Sequence, residues 1–157
     1  MPIGSGVTST RPSIRIRRAV TGEPTRGLID TNVVIHLAAL DPERLPDEMV
    51  ISAVTLAELS AGPLHTDDAD ERARRLSVLQ HTEATFDPLP FDAEAARVFG
   101  QVSAAVLATG RTPRRRVADL LIAATAVAND LPLYTTNPGD FLGLGRLLAV
   151  VPLPRPR

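Results

Sequence analysis

The chain has 157 residues, 44% of them hydrophobic, which is enough for one globular domain with its own core. It contains no cysteine, so a disulfide scaffold, a thiolate metal site and a cysteine nucleophile are all excluded. Net charge is -1, and all 17 basic residues are arginine; residues 1–26 hold five arginines and one glutamate, the remainder 12 arginines against 17 acids, so the body is not that of a general nucleic-acid coat protein.

Residues 1–26 are rich in Gly, Pro, Ser, Thr and Arg and read as a flexible leader. Arg15, Arg17 and Arg18 could touch RNA or acidic lipid, but a solvated tail is the simpler reading. Ile14-Arg15-Ile16 could pair as a short strand. The segment has no apolar stretch to serve as a signal sequence, and no run along the chain approaches membrane-spanning length. A cytoplasmic address is the default expectation.

Gly27-Leu28-Ile29 predicts a buried strand that runs into Asp30-Thr31-Asn32 and a helix over about 32–39. Met49-Val50-Ile51 predicts a second strand. Ser52 caps a helix over 53–61, which Gly62-Pro63 stops. A charged helix follows over 67–84, with Ala69, Ala73, Leu76, Leu79 and Gln80 as its packing stripe. Phe86 to Leu89 reads as a brief strand. A long helix over 92–109 carries Ala95, Val98, Phe99, Val102 and Val106 inward and ends at Gly110. After an arginine-rich linker at 111–116 comes an alanine-rich helix over 117–129. Strands at 131–135 and 148–151 close the fold before a short Pro/Arg tail at 153–157. Strands alternating with helices imply a three-layer α/β/α sandwich around a mostly parallel sheet, with the domain spanning 27–152. Such sheets bind ligands beyond the carboxyl ends of their strands.

Four acids stand out because of where these elements put them. Asp30 leaves the first strand at its carboxyl end. Glu58 lies between Leu56 and Leu59 on a short helix, where an inward carboxylate needs a cation or an arginine. Asp119 is in the first turn of a helix whose next residues are almost all apolar. Asp140 follows a strand and a Thr-Thr-Asn-Pro-Gly turn. Each has a plain structural explanation as a helix cap, a turn residue, a solvated side chain or an acid at a helix start. Together they fall just past a strand or at the front of the next helix, which capping alone does not explain. Carboxylates brought together repel one another and need a cation such as Mg²⁺ or Mn²⁺ between them. That chemistry points to a metal-dependent hydrolase, most naturally a nuclease.

These segments resemble the PIN-domain ribonucleases, and specifically the VapC toxins of bacterial toxin–antitoxin pairs. The resemblance covers about residues 27–152. Gly27-Leu28-Ile29-Asp30-Thr31-Asn32 is similar to the family's opening strand and first acid, and Leu56-Ala57-Glu58-Leu59 to its second acidic motif. Ala118 to Ala126, carrying Asp119, is the most specific match. Thr136-Asn137 followed by Asp140-Phe141 is similar to the segment of the fourth acid. The chain departs from the pattern in its long leader and at Thr136, where many relatives have arginine.

The resemblance implies Mg²⁺- or Mn²⁺-dependent cleavage of single-stranded or looped RNA, with Asp30 and Asp119 as central metal ligands and Glu58 and Asp140 completing the site. It also implies a homodimer and a small VapB-like antitoxin as partner. Helices 53–61 and 67–84 offer apolar residues for a dimer seam or a partner helix, or simply for the core. Arg114, Arg115 and Arg116, with Arg111, stand just before Asp119 and are candidate phosphate contacts, or else a solvated basic loop. Asn32, Thr136 and Asn137 are candidate polar contacts to substrate. His36, His65 and His81 lie outside the acidic segments and read as structural or solvent-facing. Four Phe and one Tyr leave little for base stacking.

Three alternatives stay open at this stage. One is a housekeeping PIN-like RNA-processing nuclease. Another is a catalytically inactive protein-binding module of the same fold. The third, an aspartyl-phosphate phosphatase, would want a second acid two residues after its nucleophile, where Asn32 stands.

Overall fold

The computed structural model of the protein describes residues 25–157. The expected leader up to residue 24, with its candidate strand at 14–16, lies outside the described residues. Thr25 and Arg26 belong to the folded body, so the boundary expected at residue 27 falls slightly late. Thr25 donates from its backbone N and its Oγ1 to Asp47 Oδ2, at 2.8 and 2.9 Å.

Strands β1 (Arg26–Ile29), β2 (Glu48–Val50), β3 (Leu133–Thr135) and β4 (Val150–Pro152) form one sheet in the order β2-β1-β3-β4. All three pairings are parallel, with Leu28 opposite both Val50 and Leu133 and Tyr134 opposite Val151. Alternation along the strands divides the core in two. Leu28, Val50 and Leu133 pack with Val102 and Leu120, which lie on α4 (Ala93–Ala108) and α5 (Val117–Ala128). Ile29, Ile51 and Tyr134 turn the other way. They meet Val33 and Val34 of α1 (Thr31–Ile35), Leu59 of α2 (Ala53–Ala61), and the half-buried Val78 and Leu79 of α3 (Ala69–Thr85). The result is the expected three-layer sandwich, with both faces of a parallel sheet covered. Because β1 and β3 are central, their carboxyl ends lie side by side, and the chemistry gathers there.

Local signals set the helix ends. Ser52 caps α2 by accepting from Thr55 N at 3.0 Å, and that helix has the predicted bounds. Asp68 caps α3 through Glu71 N at 2.8 Å, so the helix starts at Ala69 and not at 67. Asp92 caps α4 through Ala95 N at 2.9 Å, and Gly110, at φ +77°, takes the left-handed turn that ends it. The fully buried Ala123, Ala124 and Ala126 let α5 approach its neighbours closely. Gly27 has a stricter role. A Cβ there would lie 2.4 Å from a ring carbon of Tyr134, so the central strands accept no side chain at that position.

Several expectations need correction. The helix predicted over 32–39 stops at Ile35 and gives way to a 3₁₀ turn over Leu37–Ala39. The β-branched run Val33-Val34-Ile35 propagates a helix poorly. The strand predicted at 86–89 reduces to one isolated bridge between Ser52 and Leu89. Pro88 and Pro90 flank Leu89 and take away the donors a strand would use. The linker at 111–116 contains a 3₁₀ turn, Pro113–Arg116. The stripe assigned to the charged helix is also wrong. Ala69, Ala73, Leu76 and Gln80 are exposed, and only Leu79 is partly covered. The inward face is Glu71, Arg75, Val78, Leu79 and Thr82, which shares the helical period between apolar and charged residues. Among the described residues no helix is long and apolar enough to cross a membrane.

Candidate active site

Asp30 ends β1 and caps α1, so the chain's direction change there fixes its carboxylate. It is 2% exposed. Oδ1 accepts from Thr31 N at 2.8 Å, and Oδ2 accepts from Thr135 Oγ1 at 2.8 Å. Thr135 in turn accepts from Asn137 N at 3.0 Å, so the end of β3 orients the acid at the end of β1. Burial raises the Asp30 carboxyl above the ordinary range; its two hydrogen bonds oppose that shift, and the charges of Glu58 and Asp140 add to it.

Asp119, in the first turn of α5, is pushed up to about 6. Burial is the main cause, followed by the charges of Asp30, Asp140 and Glu58; Arg116 pulls the other way. The charges of Glu58 and Asp140 therefore reach both Asp30 and Asp119, although the four acids come from four separate segments. Asp30, Glu58 and Asp119 also line one cavity of about 590 Å³.

Glu58 is exposed on α2 but tethered. Thr31 Oγ1 donates to Glu58 Oε1 at 2.7 Å and lies 3.1 Å from Thr55 Oγ1, which is 3.3 Å from Ser52 Oγ. A chain of hydroxyls thus runs from the end of β2 to this carboxylate. Asp140 sits on the 3₁₀ turn Pro138–Phe141 and accepts from Arg116 Nη1. Both partners of that pair are about one-third exposed, at 34% for Arg116 and 31% for Asp140.

Among the described residues, no group of three acidic or imidazole side chains is arranged to hold a metal ion as it stands. Each acid instead rests on a protein donor or stays apart from the others. The donor set itself fits a hard divalent cation: several coupled carboxylates, two of them with raised pKa values, and one guanidinium among them. His36, His65 and His81 are all exposed, and none of them lines this cavity.

The other predicted residues are less unified. Asn32 lines the cavity. Thr136 is buried, at 6% exposure, and Asn137 Oδ1 accepts from Arg155 Nη2. Arg114 and Arg115 are exposed on the turn before α5, while Arg111 Nη1 donates to the Gly139 carbonyl at 2.8 Å. The basic linker is therefore half committed to bracing the turn of Asp140.

Sequence reading missed the positioning hydroxyls of Thr31, Thr55 and Thr135. Thr31 and Thr135 lie inside motifs already singled out, but nothing in the sequence shows which acid each one reaches. It also missed Glu71, Arg74 and Arg75, which line the same cavity from α3. Their only sequence signal is the three- and four-residue spacing of opposite charges.

The chain is similar to known proteins over most of its length. Residues 27–146 match the PIN domain family. Ribonuclease VapC5 of Mycobacterium tuberculosis is 38% identical over 124 residues, covering 77% of this chain and 89% of that protein. Ribonuclease VapC of Rickettsia bellii is 30% identical over 134 residues, covering 80% of this chain and 96% of that protein. The crystal structure of VapBC-5, a toxin–antitoxin system of Mycobacterium tuberculosis, contains a similar chain, with a TM-score of 0.71 and 36% identity over 84% of this chain and all of that one.

Proposed function

Since this chain belongs to the PIN-domain family, we propose that it is a divalent-metal-dependent endoribonuclease acting as the toxin of a toxin–antitoxin pair. The observation that supports this reading is the convergence of four carboxylates: Asp30, Glu58 and Asp119 line one cavity, and the charges of Glu58 and Asp140 both reach Asp30 and Asp119. Asp30 and Asp119 would hold Mg²⁺ or Mn²⁺, with Glu58 and Asp140 completing the set. Such an ion supplies Lewis-acid polarisation of the scissile phosphate and offsets charge at the departing oxygen. The chain's own part is orientation: Thr135 fixes Asp30, Thr31 fixes Glu58, and Arg116 holds Asp140.

A small VapB-like antitoxin fits the surface beside this site. A groove of about 340 Å³ between α1 and α3 is lined by Val34, Ile35, Leu37, Val78 and Phe86, with Ser77, His81 and Thr82 among them, a mixed lining that one face of an amphipathic helix could meet. An antitoxin arginine reaching the carboxylates would compete with metal. A homodimer and a cytoplasmic address complete the proposal.

The test is direct. Protein freed of antitoxin should cleave single-stranded RNA with Mg²⁺ or Mn²⁺ and stop on addition of EDTA. Co-expression with the small gene beside its own should give a silent hetero-complex by size-exclusion chromatography with light scattering. RNA left intact under all metal conditions would reject the enzyme. Cleavage without a binding partner would favour a housekeeping nuclease instead.

A further inference from the structure

The cavity holding Asp30, Glu58 and Asp119 has a second wall, made by Glu71, Arg74 and Arg75 of α3. These three residues form one unit. Arg74 donates from Nε and Nη2 to Glu71 Oε2, at 3.0 and 2.8 Å. Arg75 donates from Nε to Glu71 Oε1 and from Nη1 to the Gly62 carbonyl, both at 2.9 Å. The bond from Arg75, then that from Arg74, holds the Glu71 carboxyl below its ordinary range, so it remains the shared anion of two cations. The unit is net positive and cannot lose that charge by deprotonation of arginine.

Its donors are only partly used. Nη1 of Arg74 and Nη2 of Arg75 have no hydrogen-bond partner among the described residues. The Gly62 carbonyl and Glu71 together pin the Arg75 plane between the end of α2 and the first turns of α3. A guanidinium fixed in this way loses little freedom on taking a further anion. Exposed ion pairs contribute little stability, so bracing the helix does not by itself explain two arginines on the wall of an acidic cavity. Arg114, Arg115 and Arg116, which precede Asp119 in sequence, do not line the cavity, and Arg116 is engaged by Asp140 outside it.

Charge over the cavity supports the same conclusion. Four carboxylates and two guanidiniums line it, and one divalent cation brings their formal sum to zero. A polyanion then meets no net repulsion, and the wall of α3 adds a fixed positive site beside the metal ligands. We propose that Arg74 and Arg75 form a phosphate subsite that clamps the backbone of single-stranded RNA beside the bond to be cut. The strand then crosses the cavity from α5 to α3. This inference rests on the ribonuclease reading for its substrate, and its test separates the two.

The test uses the full chain carrying Asp30→Asn, a fluorescein-labelled single-stranded RNA and constant Mg²⁺, with binding followed by anisotropy as NaCl is raised. Paired Arg74→Gln and Arg75→Gln should raise Kd about tenfold at low salt and reduce the salt slope by about 0.7, the share of one phosphate on a single strand. Arg97→Gln, which removes a comparable exposed ion pair on α4, should leave the slope unchanged. Glu71→Gln gives the opposite sign: it removes the negative charge of the wall while the Gly62 carbonyl still holds Arg75, so it should tighten RNA binding at low salt, whereas a purely structural triad would only lose stability. If the paired variant fails to fold, Glu71→Gln and the single Arg74→Gln, which should also reduce the slope, carry the test. In the active chain, Arg75→Gln should raise KM with little change in kcat. An unchanged slope in a folded variant, looser RNA binding in Glu71→Gln, or loss of antitoxin binding with RNA binding intact would each overturn the subsite. Wild-type protein that cuts no RNA would instead sink the ribonuclease reading, and the anisotropy series would still report on the clamp.

Discussion

Thr31 Oγ1 stands 2.7 Å from Glu58 Oε1, and this one bond ties an exposed carboxylate on α2 to the buried start of α1. A long side chain on a short helix would otherwise sample several rotamers away from Asp30. Thr31→Val keeps the shape of the residue and removes the donor. It should weaken Mn²⁺ binding severalfold by isothermal titration and cost about 1 kcal/mol of stability. Thr31→Ser should restore both. Wild-type Mn²⁺ affinity in the valine variant would show that Glu58 needs no orientation.

Asp119 predicts a pH effect with a definite sign. Its folded value of about 6 lies above the ordinary carboxyl value of 3.8, so between the two the folded state holds more protons than the unfolded state. In the absence of divalent ions, stability should therefore fall as pH rises from about 4 through 6. Asp119→Asn should reduce that dependence to the share left by the raised Asp30 carboxyl and stabilise the metal-free protein at pH 7 by on the order of 1–2 kcal/mol, allowing for the partial exposure of the group. Thermal melts in EDTA across that range check it. A metal-free protein most stable at pH 7 would contradict the burial of uncompensated charge.

The same proton competes with metal. Activity with Mn²⁺ should decline as pH falls below about 6, and excess Mn²⁺ should move that limb to lower pH. Asp30→Asn should reduce cleavage by at least about a hundredfold at every pH while leaving the far-ultraviolet circular dichroism unchanged. Residual activity within a few-fold of wild type would remove Asp30 from the metal site.

Gly27 makes a steric prediction. With 2.4 Å between its hypothetical Cβ and the Tyr134 ring, Gly27→Ala should cost about 2–3 kcal/mol or more in denaturant unfolding. Combining it with Tyr134→Leu should cost less than the sum of the two single changes. Strict additivity would mean that the ring is not what excludes a side chain there.

The basic turn before α5 should divide into two functions. Charge reversal at Arg114 and Arg115, both exposed, should act only on RNA binding and its salt dependence. Arg116→Glu should in addition destabilise the turn of Asp140, because two carboxylates would face each other where an ion pair stood. Equal thermal stability in all three reversals would show that the Arg116 pair is idle.

Strand and helix order, the parallel sheet and the four acids were legible because each had a local signature. Buried strands appear as short apolar runs, helix starts as Ser or Asp caps, and the acids as charges set against apolar neighbours. What the sequence hid was pairing across distance. Thr135 is separated from Asp30 by 105 positions, and no periodicity connects them. The inward face of α3 mixes charged with apolar residues, so hydrophobic periodicity alone does not mark it. Glu71 and Arg75 turn toward the cavity since each neutralises the other, and a pattern of apolar residues cannot record that. The 3₁₀ turn of Asp140 was hidden for a similar reason: its shape depends on Arg111 reaching Gly139 and Arg116 reaching Asp140 from another part of the chain.

The residues after β4 are part of this wiring. Leu153 is buried and its N–H donates to the Thr135 carbonyl at 2.8 Å, while Arg155 holds Asn137, whose own N–H donates to the Thr135 hydroxyl on Asp30. Changes in this segment therefore reach the centre of the molecule. Arg155→Ala should loosen Asn137 and with it the hydroxyl that steadies Asp30. Divalent ions that stiffen the acids should slow hydrogen exchange at the amides of Asn137 and Leu153, so exchange there becomes a label-free readout of occupancy some way from the carboxylates.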